Sequence, residues 1–352
     1  MTNNRQVVMS HGSGGTLMRE MIATFLSAYG SPELARGDDS AVLMLPAMAG
    51  AAAAAPHQSL AFTTDSFVVT PYFFPGGDIG RLAVSGTVND LATSGARPWV
   101  LSMAFILEEG LPLADLEAIC TSIAATAREA EISIVTGDTK VVPHGTGDGI
   151  YINTAGIGLF DRHPNNQPLS GRNCQIGDKV LLSGTLGDHG IAIIAARENL
   201  HFSTEVVSDV APLYPLVARV LDVAPSTRCF RDPTRGGLAS TINELAEQSS
   251  VSIVIDESTV PVLPAVRGAC EMLGYDVFQV ANEGKMVAVV SADEADAALA
   301  AMRSHPLGAN AAIIGEVSAA GSPGMPAAWV KTPLGSLRVL DMLVGEQLPR
   351  IC

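Results

Sequence analysis

No apolar run in this 352-residue chain approaches the roughly 20 residues that a membrane span needs, and the opening segment, Met1 to Arg5, is polar and leads into no signal-peptide core. Both absences point to a soluble, cytoplasmic protein. The five cysteines, Cys120, Cys174, Cys229, Cys270 and Cys352, are scattered and form no Cys-x-x-Cys pair, which leaves no zinc motif and no disulfide framework. The first four read as small buried hydrophobes. Lys and Arg number 21 against 36 Asp and Glu, a formal net charge of −15. A phosphate backbone demands clustered cations, so nucleic acid is not an expected partner. There is also no Gly-x-x-x-x-Gly-Lys-Ser/Thr loop and no kinase catalytic-loop signature, which removes the common nucleotide folds.

What the chain does have is a set of carboxylates: Asp38, Asp39, Asp65, Asp90 and Asp138, each beside Gly, Asn, Ser or Thr or beside another of the set, and Asp232 in Arg231-Asp232-Pro233-Thr234. For any one of them a turn or helix-cap role is the simpler account. Six together suit loops that bring hard oxygen ligands to a divalent cation and join it to phosphate, as magnesium does in phosphoryl-transfer sites.

Periodicity predicts an amphipathic helix from Thr16 to Tyr29 after the Gly-rich loop His11 to Gly15, a strand over Leu60 to Thr64, and a small-residue helix over Ile79 to Ser94. A strand follows at Leu101 to Leu107, then a long helix at Leu113 to Ala130. A short buried strand, Ile132 to Val135, is expected to end in a charged turn, Thr136 to Lys140, and a further strand runs from Tyr151 to Leu159. Ala47 to Pro56 reads as a surface insertion and Asp161 to Gly171 as the linker between halves. The expected organisation is an N-terminal loop and helix at 1–36, an ATP-binding and dimerisation domain at 37–160, a second domain at 172–318 and a region at 319–352 with a mobile tail.

That tail ends in Pro349-Arg350-Ile351-Cys352, which puts a thiol at the last position of the sequence. A prenylated Cys would stand four residues from the end, so position excludes a lipid anchor of that kind. A thiol on a loose tail can be carried into and out of a pocket, with Pro349 limiting freedom just before it.

The motifs His11-Gly12-x-Gly14-Gly15, Asp38-Asp39-x-Ala41-Val42, Thr64-Asp65-Ser66-Phe67, Gly86-Thr87-x-Asn89-Asp90 and Arg231-Asp232-x-Thr234-x-Gly236-Gly237 resemble those of the aminoimidazole ribonucleotide synthetase and selenophosphate synthetase superfamily, over nearly the whole chain. Thr136 to Val142, Arg231 to Ala239 and the terminal Pro349-Arg350-x-Cys352 resemble its hydrogenase-maturation branch. The resemblance implies an α+β fold of two domains. The N-terminal mixed sheet would form a barrel at a homodimer interface, the C-terminal α/β sandwich would cover the nucleotide cleft, and the C-terminal tail would be flexible.

It also implies a reaction: a carbamoyltransferase, HypF, loads Cys352 with a carbamoyl group, ATP activates the carbamoyl oxygen, and dehydration leaves an S-cyano group. The product passes to iron on a HypC–HypD scaffold as a cyanide ligand for nickel–iron hydrogenase. By position in the motifs, Asp39, Asp90 and Asp232 are the Mg2+ ligands, and Asp38, Asp65, Asn89, Asp90, Gly137, Asp138, Thr139 and Lys140 border ATP, with Lys140 as phosphate clamp. A base is required, and Glu283 and His144 are the candidates beside Cys352 itself; His189 and His11, in Gly-rich turns, rank below them. Three alternatives stay open. A selenophosphate synthetase needs a Cys or selenocysteine and a Lys where this chain has Ser13, Gly14 and Gly15; a purine-pathway synthetase has no use for a terminal thiol; a non-catalytic carrier would merely present a modified Cys352.

Overall fold

The computed structural model describes residues 7–8, 11, 15–44, 59–160, 169–200, 204–321, 327–342 and 351–352. The Ala47 to Pro56 insertion, Pro349 and Arg350, and most of the His11 to Gly15 loop and of the 161–171 linker lie outside these residues.

The elements of the first half run α1 (Thr16–Tyr29), β1 (Ala41–Met44), β2 (Ser59–Phe67), β3 (Phe73–Phe74), β4 (Gly77–Asp78), α2 (Ile79–Thr93), β5 (Arg97–Glu108), α3 (Leu113–Glu129), β6 (Ser133–Val142) and β7 (Ile150–Leu159). Five of these strands form one mixed sheet in the order β1-β2-β7-β5-β6, antiparallel except for the β5–β6 pair. Helix α2 is held at its start by the Asp78 carboxylate, which accepts from the Gly80 and Arg81 amides at 2.7 and 3.0 Å. It is buried almost all round, because Gly86 and its small neighbours let it sit directly on the sheet; a Cβ on Gly86 would meet the Phe67 ring at 2.9 Å. That close approach brings the last turn of α2, with Asp90, over the end of β2, with Asp65.

The second half runs β8 (Lys179–Leu182), α4 (Asp188–Arg197), α5 (Tyr214–Val223), β9 (Cys229–Arg231), α6 (Gly237–Ser249), β10 (Ser252–Asp256), α7 (Pro264–Leu273), β11 (Val287–Val290), α8 (Ala295–Arg303), β12 (Ala312–Ser318), β13 (Ala328–Lys331) and β14 (Leu337–Val339). Its strands form one sheet in the order β14-β13-β10-β12-β8-β11-β9. Val180, Leu182, Val287 and Val289 pack with α6 on one face, while Leu181, Phe230, Ala288 and Val290 pack with α5 and α8 on the other. Alternate residues thus face two apolar layers, which is why β8 and β11 read as unbroken hydrophobic runs. This is the expected α/β sandwich.

Two expectations are corrected. The residues Thr136 to Lys140 are not a turn after a short buried strand: they lie inside β6, nine of whose ten residues are exposed. As an edge strand with only β5 beside it, β6 tolerates Gly137 and Asp138 and leaves Val135 and Val141 uncovered, although their β-branched character still favours the strand. Within one chain the N-terminal sheet is open, with β1 and β6 as its free edges among the described residues. Cys120, expected to be buried, is exposed on α3. At the far end of the sequence, Ile351 is buried in the same apolar cluster as α2 and α4, and Cys352 packs against it.

Candidate active site

The carboxylates converge because three turns and one helix end are pinned together. The β9–α6 turn depends on Gly236 and Gly237, both at positive φ, and a Cβ on Gly237 would stand 2.6 Å from the Phe278 carbonyl. This turn points Asp232, Thr234 and Arg235 at the ends of β2 and α2. The turn before β11 is fastened to it by Asn282, whose amide nitrogen donates to the Pro233 carbonyl at 3.0 Å and whose amide oxygen accepts from the Gly187 amide at 2.7 Å. Asp209 accepts from the Glu283 and Gly284 amides at 3.1 and 3.2 Å. Lys285 reaches Asp209 at 3.2 Å and Asp188 at 3.5 Å, so the charge on Asp209 is balanced from behind.

The resulting cleft has a volume of about 430 Å³ and is bordered by Asp39, Asp65, Asp90, Asp232, Arg231 and Arg235, with α1 contributing Met18 and Ile22 at its rim. A smaller cavity of about 30 Å³ opens beside it, sharing Asp65, Asp90, Asp232 and Arg235 and adding Glu283 and Cys352. Burial lifts Asp39 and Asp90 well above the ordinary carboxylate range; Arg231, 2.9 Å from Asp39, opposes this at Asp39, while Asp90 is pushed further by Asp232 and Asp65. Asp232 is pushed up to about 6 by burial, against the pull of Arg231. Asp65 is raised by burial and partly offset by Arg235. These are carboxylates short of positive charge, and the Oδ2 atom of Asp39 is buried with no hydrogen-bond partner.

Among the described residues no three Asp, Glu, His or Cys side chains converge closely enough to hold an ion by themselves. That suits magnesium, which takes one or two protein carboxylates and completes its octahedron with water and phosphate oxygens. The uncompensated acids beside an open cleft fit such an ion.

At the small cavity the Cys352 thiol and the Glu283 carboxyl line the same space. Burial raises the thiol far above its usual range, with Arg235 opposing and Glu283 and Asp65 reinforcing. Glu283 itself is raised well above the carboxylate range, by burial first and then by Asp232 and Asp209, and its Oε1 lacks a hydrogen-bond partner.

The sequence-predicted residues divide into three groups. Asp39, Asp65, Asp90, Asp232, Glu283 and Cys352 meet here. Asp38 and Asn89 instead tie the halves together: the Ser170 hydroxyl donates to Asp38 at 2.8 Å, and the buried Asn89 donates to the Ala211 carbonyl at 3.1 Å and accepts from the Leu213 amide at 2.8 Å. Gly137, Asp138, Thr139 and Lys140 are on exposed β6, and His144 stands in the exposed loop after it, 3.1 Å from the Glu109 carbonyl. Within one chain these do not reach the cleft. Arg235, Asp209 and Ser208 were not singled out; Arg235 stands in a quoted motif, whereas nothing local marks Ser208-Asp209.

Matches to known proteins concern the two domains as wholes. Residues 37–160 match the model described as AIR synthase related protein, N-terminal domain, and residues 175–326 the corresponding C-terminal domain. A protein of Cupriavidus necator named carbamoyl dehydratase HypE is 50% identical over 348 residues, covering 99% of this chain and 95% of that protein. The chain belongs to the HypE family of AIR synthase related proteins. Among solved structures, a HypE–HypF complex superposes with a TM-score of 0.83 at 43% identity, covering 94% of this chain and 100% of that one. A HypE in complex with ATP superposes at 0.79 with 44% identity, covering 99% of this chain and 100% of that one. The HypE fold therefore accounts for both domains and the cleft between them.

Proposed function

We propose that the chain is an ATP-dependent carbamoyl dehydratase that converts a carbamoyl group on Cys352 to an S-cyano group. The observation that carries this reading is the meeting of Cys352 and Glu283 in a cavity that opens directly beside an acidic cleft of nucleotide size. A carboxamide oxygen is a poor leaving group in water. Transfer of the terminal phosphoryl group of ATP to that oxygen, with loss of one nitrogen-bound proton, makes an imidoyl phosphate and ADP; loss of the second nitrogen-bound proton and departure of phosphate then leave the nitrile. Glu283, unpaired at Oε1 and with a raised pKa, suits the base that takes a proton from nitrogen. Arg235 faces the same sulfur and suits charge stabilisation on the transferring group. Mg2+ ions each held by one or two of Asp39, Asp90 and Asp232 would neutralise the phosphates and relieve the repulsion among these acids.

A seated thiol held in its protonated form is a poor nucleophile. Cys352 therefore receives its carbamoyl group elsewhere, on HypF, in keeping with the complex known for a relative. Delivery to iron on HypC–HypD, a cytoplasmic location and release of the tail belong to the same reading. No helix among the described residues is long and apolar enough to cross a membrane.

The homodimer is supported by the N-terminal sheet, whose outer face exposes Phe62 and Ile106 and whose free β6 edge leaves Ile134, Val135 and Val141 uncovered. In such a dimer β6 of one protomer would bring Gly137, Asp138, Thr139 and Lys140 to its partner's cleft, with Lys140 as phosphate clamp and His144 near the mouth. The test is phosphate release by carbamoylated and unmodified protein at saturating MgATP. Release confined to carbamoylated protein, one phosphate per Cys352, supports the dehydratase; equal release from both, or none from either, refutes it.

A further inference from the structure

The machinery above does not explain why Ile351 and Cys352 occupy their seat. Ile351 is 5% exposed, and its carbonyl oxygen lies 2.6 Å from Nε2 of His189, a fully buried side chain on the first turn of α4. A carbonyl can only accept, so Nε2 carries the proton. The other ring nitrogen, Nδ1, stands 2.8 Å from the Ser208 hydroxyl, and that hydroxyl also accepts from the Val210 amide at 3.2 Å. The arrangement that satisfies every group is a neutral imidazole with Ser208 donating to Nδ1. The Phe74 ring packs edge-on against the imidazole at 5.5 Å and fixes its plane. Burial pushes the His189 pKa down, in keeping with a neutral donor.

Ser208 is adjacent to Asp209, whose carboxylate holds the Glu283 and Gly284 amides. One dipeptide therefore orients both partners of the reaction: Asp209 sets the turn that carries the Glu283 carboxyl, and Ser208 sets the imidazole that holds the residue preceding Cys352.

We propose that His189, oriented by Ser208, is the positioning residue that seats Cys352 in the cavity, by donating a hydrogen bond from Nε2 to the Ile351 carbonyl. It touches no reacting atom. It acts on the balance between a seated thiol, ready for dehydration, and a withdrawn one, open to modification. The inference uses the proposed role of Cys352 only to say why the seat matters, and its test requires no turnover.

The experiment is the rate of alkylation of Cys352 by iodoacetamide, followed by peptide mapping in the full-length protein, in wild type and in the variants His189→Ala, His189→Gln and Ser208→Ala. Exposed Cys120 reports reagent reactivity, and buried Cys229 reports general loosening. With loss of one buried hydrogen bond, Cys352 in His189→Ala is expected to react about fivefold faster or more, with Cys229 protected as before. His189→Gln keeps a donor near the Nε2 position and is expected to restore much of the protection; Ser208→Ala should fall between. Carbamoylation by HypF should rise in His189→Ala and dehydration should not, an opposition that a purely structural role would not produce. An unchanged Cys352 rate in a folded His189→Ala protein overturns the proposal. So does a parallel rise at Cys229. Protected Cys352 behaviour as proposed but with no carbamoylation at all would leave the seat intact and refute the dehydratase reading instead.

Discussion

The Cys352 thiol and the Glu283 carboxyl line the same small cavity, and burial among further acids pushes the pKa of both upward. The pair is thus unreactive as it stands. Chemistry awaits two changes: replacement of the thiol hydrogen by a carbamoyl group, and arrival of cationic charge that lets the surrounding carboxylates ionise. On the proposed reading, substrate loading and nucleotide binding both act on the state of one residue, Glu283.

If Glu283 is the base, single-turnover dehydration of carbamoylated protein rises with pH. The sign follows from the upward shift: protonated Glu283 predominates at low pH, and the basic form grows as pH rises toward its elevated pKa. Glu283→Gln is expected to lower the rate about a hundredfold or more and to abolish this rise, measured by quenched-flow mass analysis.

Asp90 is expected to cost stability in the free protein. Its pKa is raised by burial and by Asp232, Asp65 and Asp39, and its hydrogen bond from Thr63 at 2.8 Å can be kept by an amide. With a folded-state pKa above the unfolded value, folded-state stability is lost as pH rises from the unfolded pKa to the folded one. Asp90→Asn should therefore unfold at a higher temperature than wild type, by an amount that grows over that pH window, while binding MgATP at least about tenfold more weakly. Differential scanning calorimetry with and without MgATP checks both arms; equal midpoints across pH would contradict the first.

Arg231, whose side chain is 11% exposed, bonds Asp39 at 2.9 Å, Glu244 at 2.6 Å and the Gly37 carbonyl at 3.0 Å. Arg231→Ala leaves a buried Asp39 without its cation and is expected to cost about 3 kcal/mol in urea unfolding. Arg231→Lys should recover only part, since a point charge cannot bond both carboxylates and the carbonyl in one plane.

The proposed dimer predicts complementation. Lys140→Ala and Glu283→Gln proteins, each inactive, should after unfolding and refolding together regain about a quarter of wild-type dehydration, because half of the sites in a mixed dimer draw both intact residues from different protomers. No recovery, with mixed dimers verified by mass, would place Lys140 outside the partner's site.

Much of this was legible in the residues. The helix Thr16–Tyr29 and the strands around Leu60, Leu101 and Tyr151 follow directly from periodicity, and Asp39, Asp65, Asp90 and Asp232 stand out as members of one set of acids in quoted motifs. What could not be read is what tertiary context decides. Thr136 to Lys140 carries turn-forming residues and yet is strand, because an edge strand pairs on one side only. Asp38 and Asp39 are adjacent and look alike; one fastens Ser170 and the other faces the cleft. Ser208-Asp209 lies in an irregular segment with no pattern at all, and its importance appears only once residues 189, 283 and 351 are brought to it.

The central claim is that Cys352 carries the group that is dehydrated, and the most direct measurement is the mass of the C-terminal peptide after incubation with HypF, carbamoyl phosphate and MgATP. The account predicts a carbamoyl adduct on Cys352 that loses the mass of one water only when MgATP is present, and no adduct in Cys352→Ala protein that still binds ATP. An unmodified Cys352 under conditions where a relative is modified, or an adduct that never loses water, would contradict it.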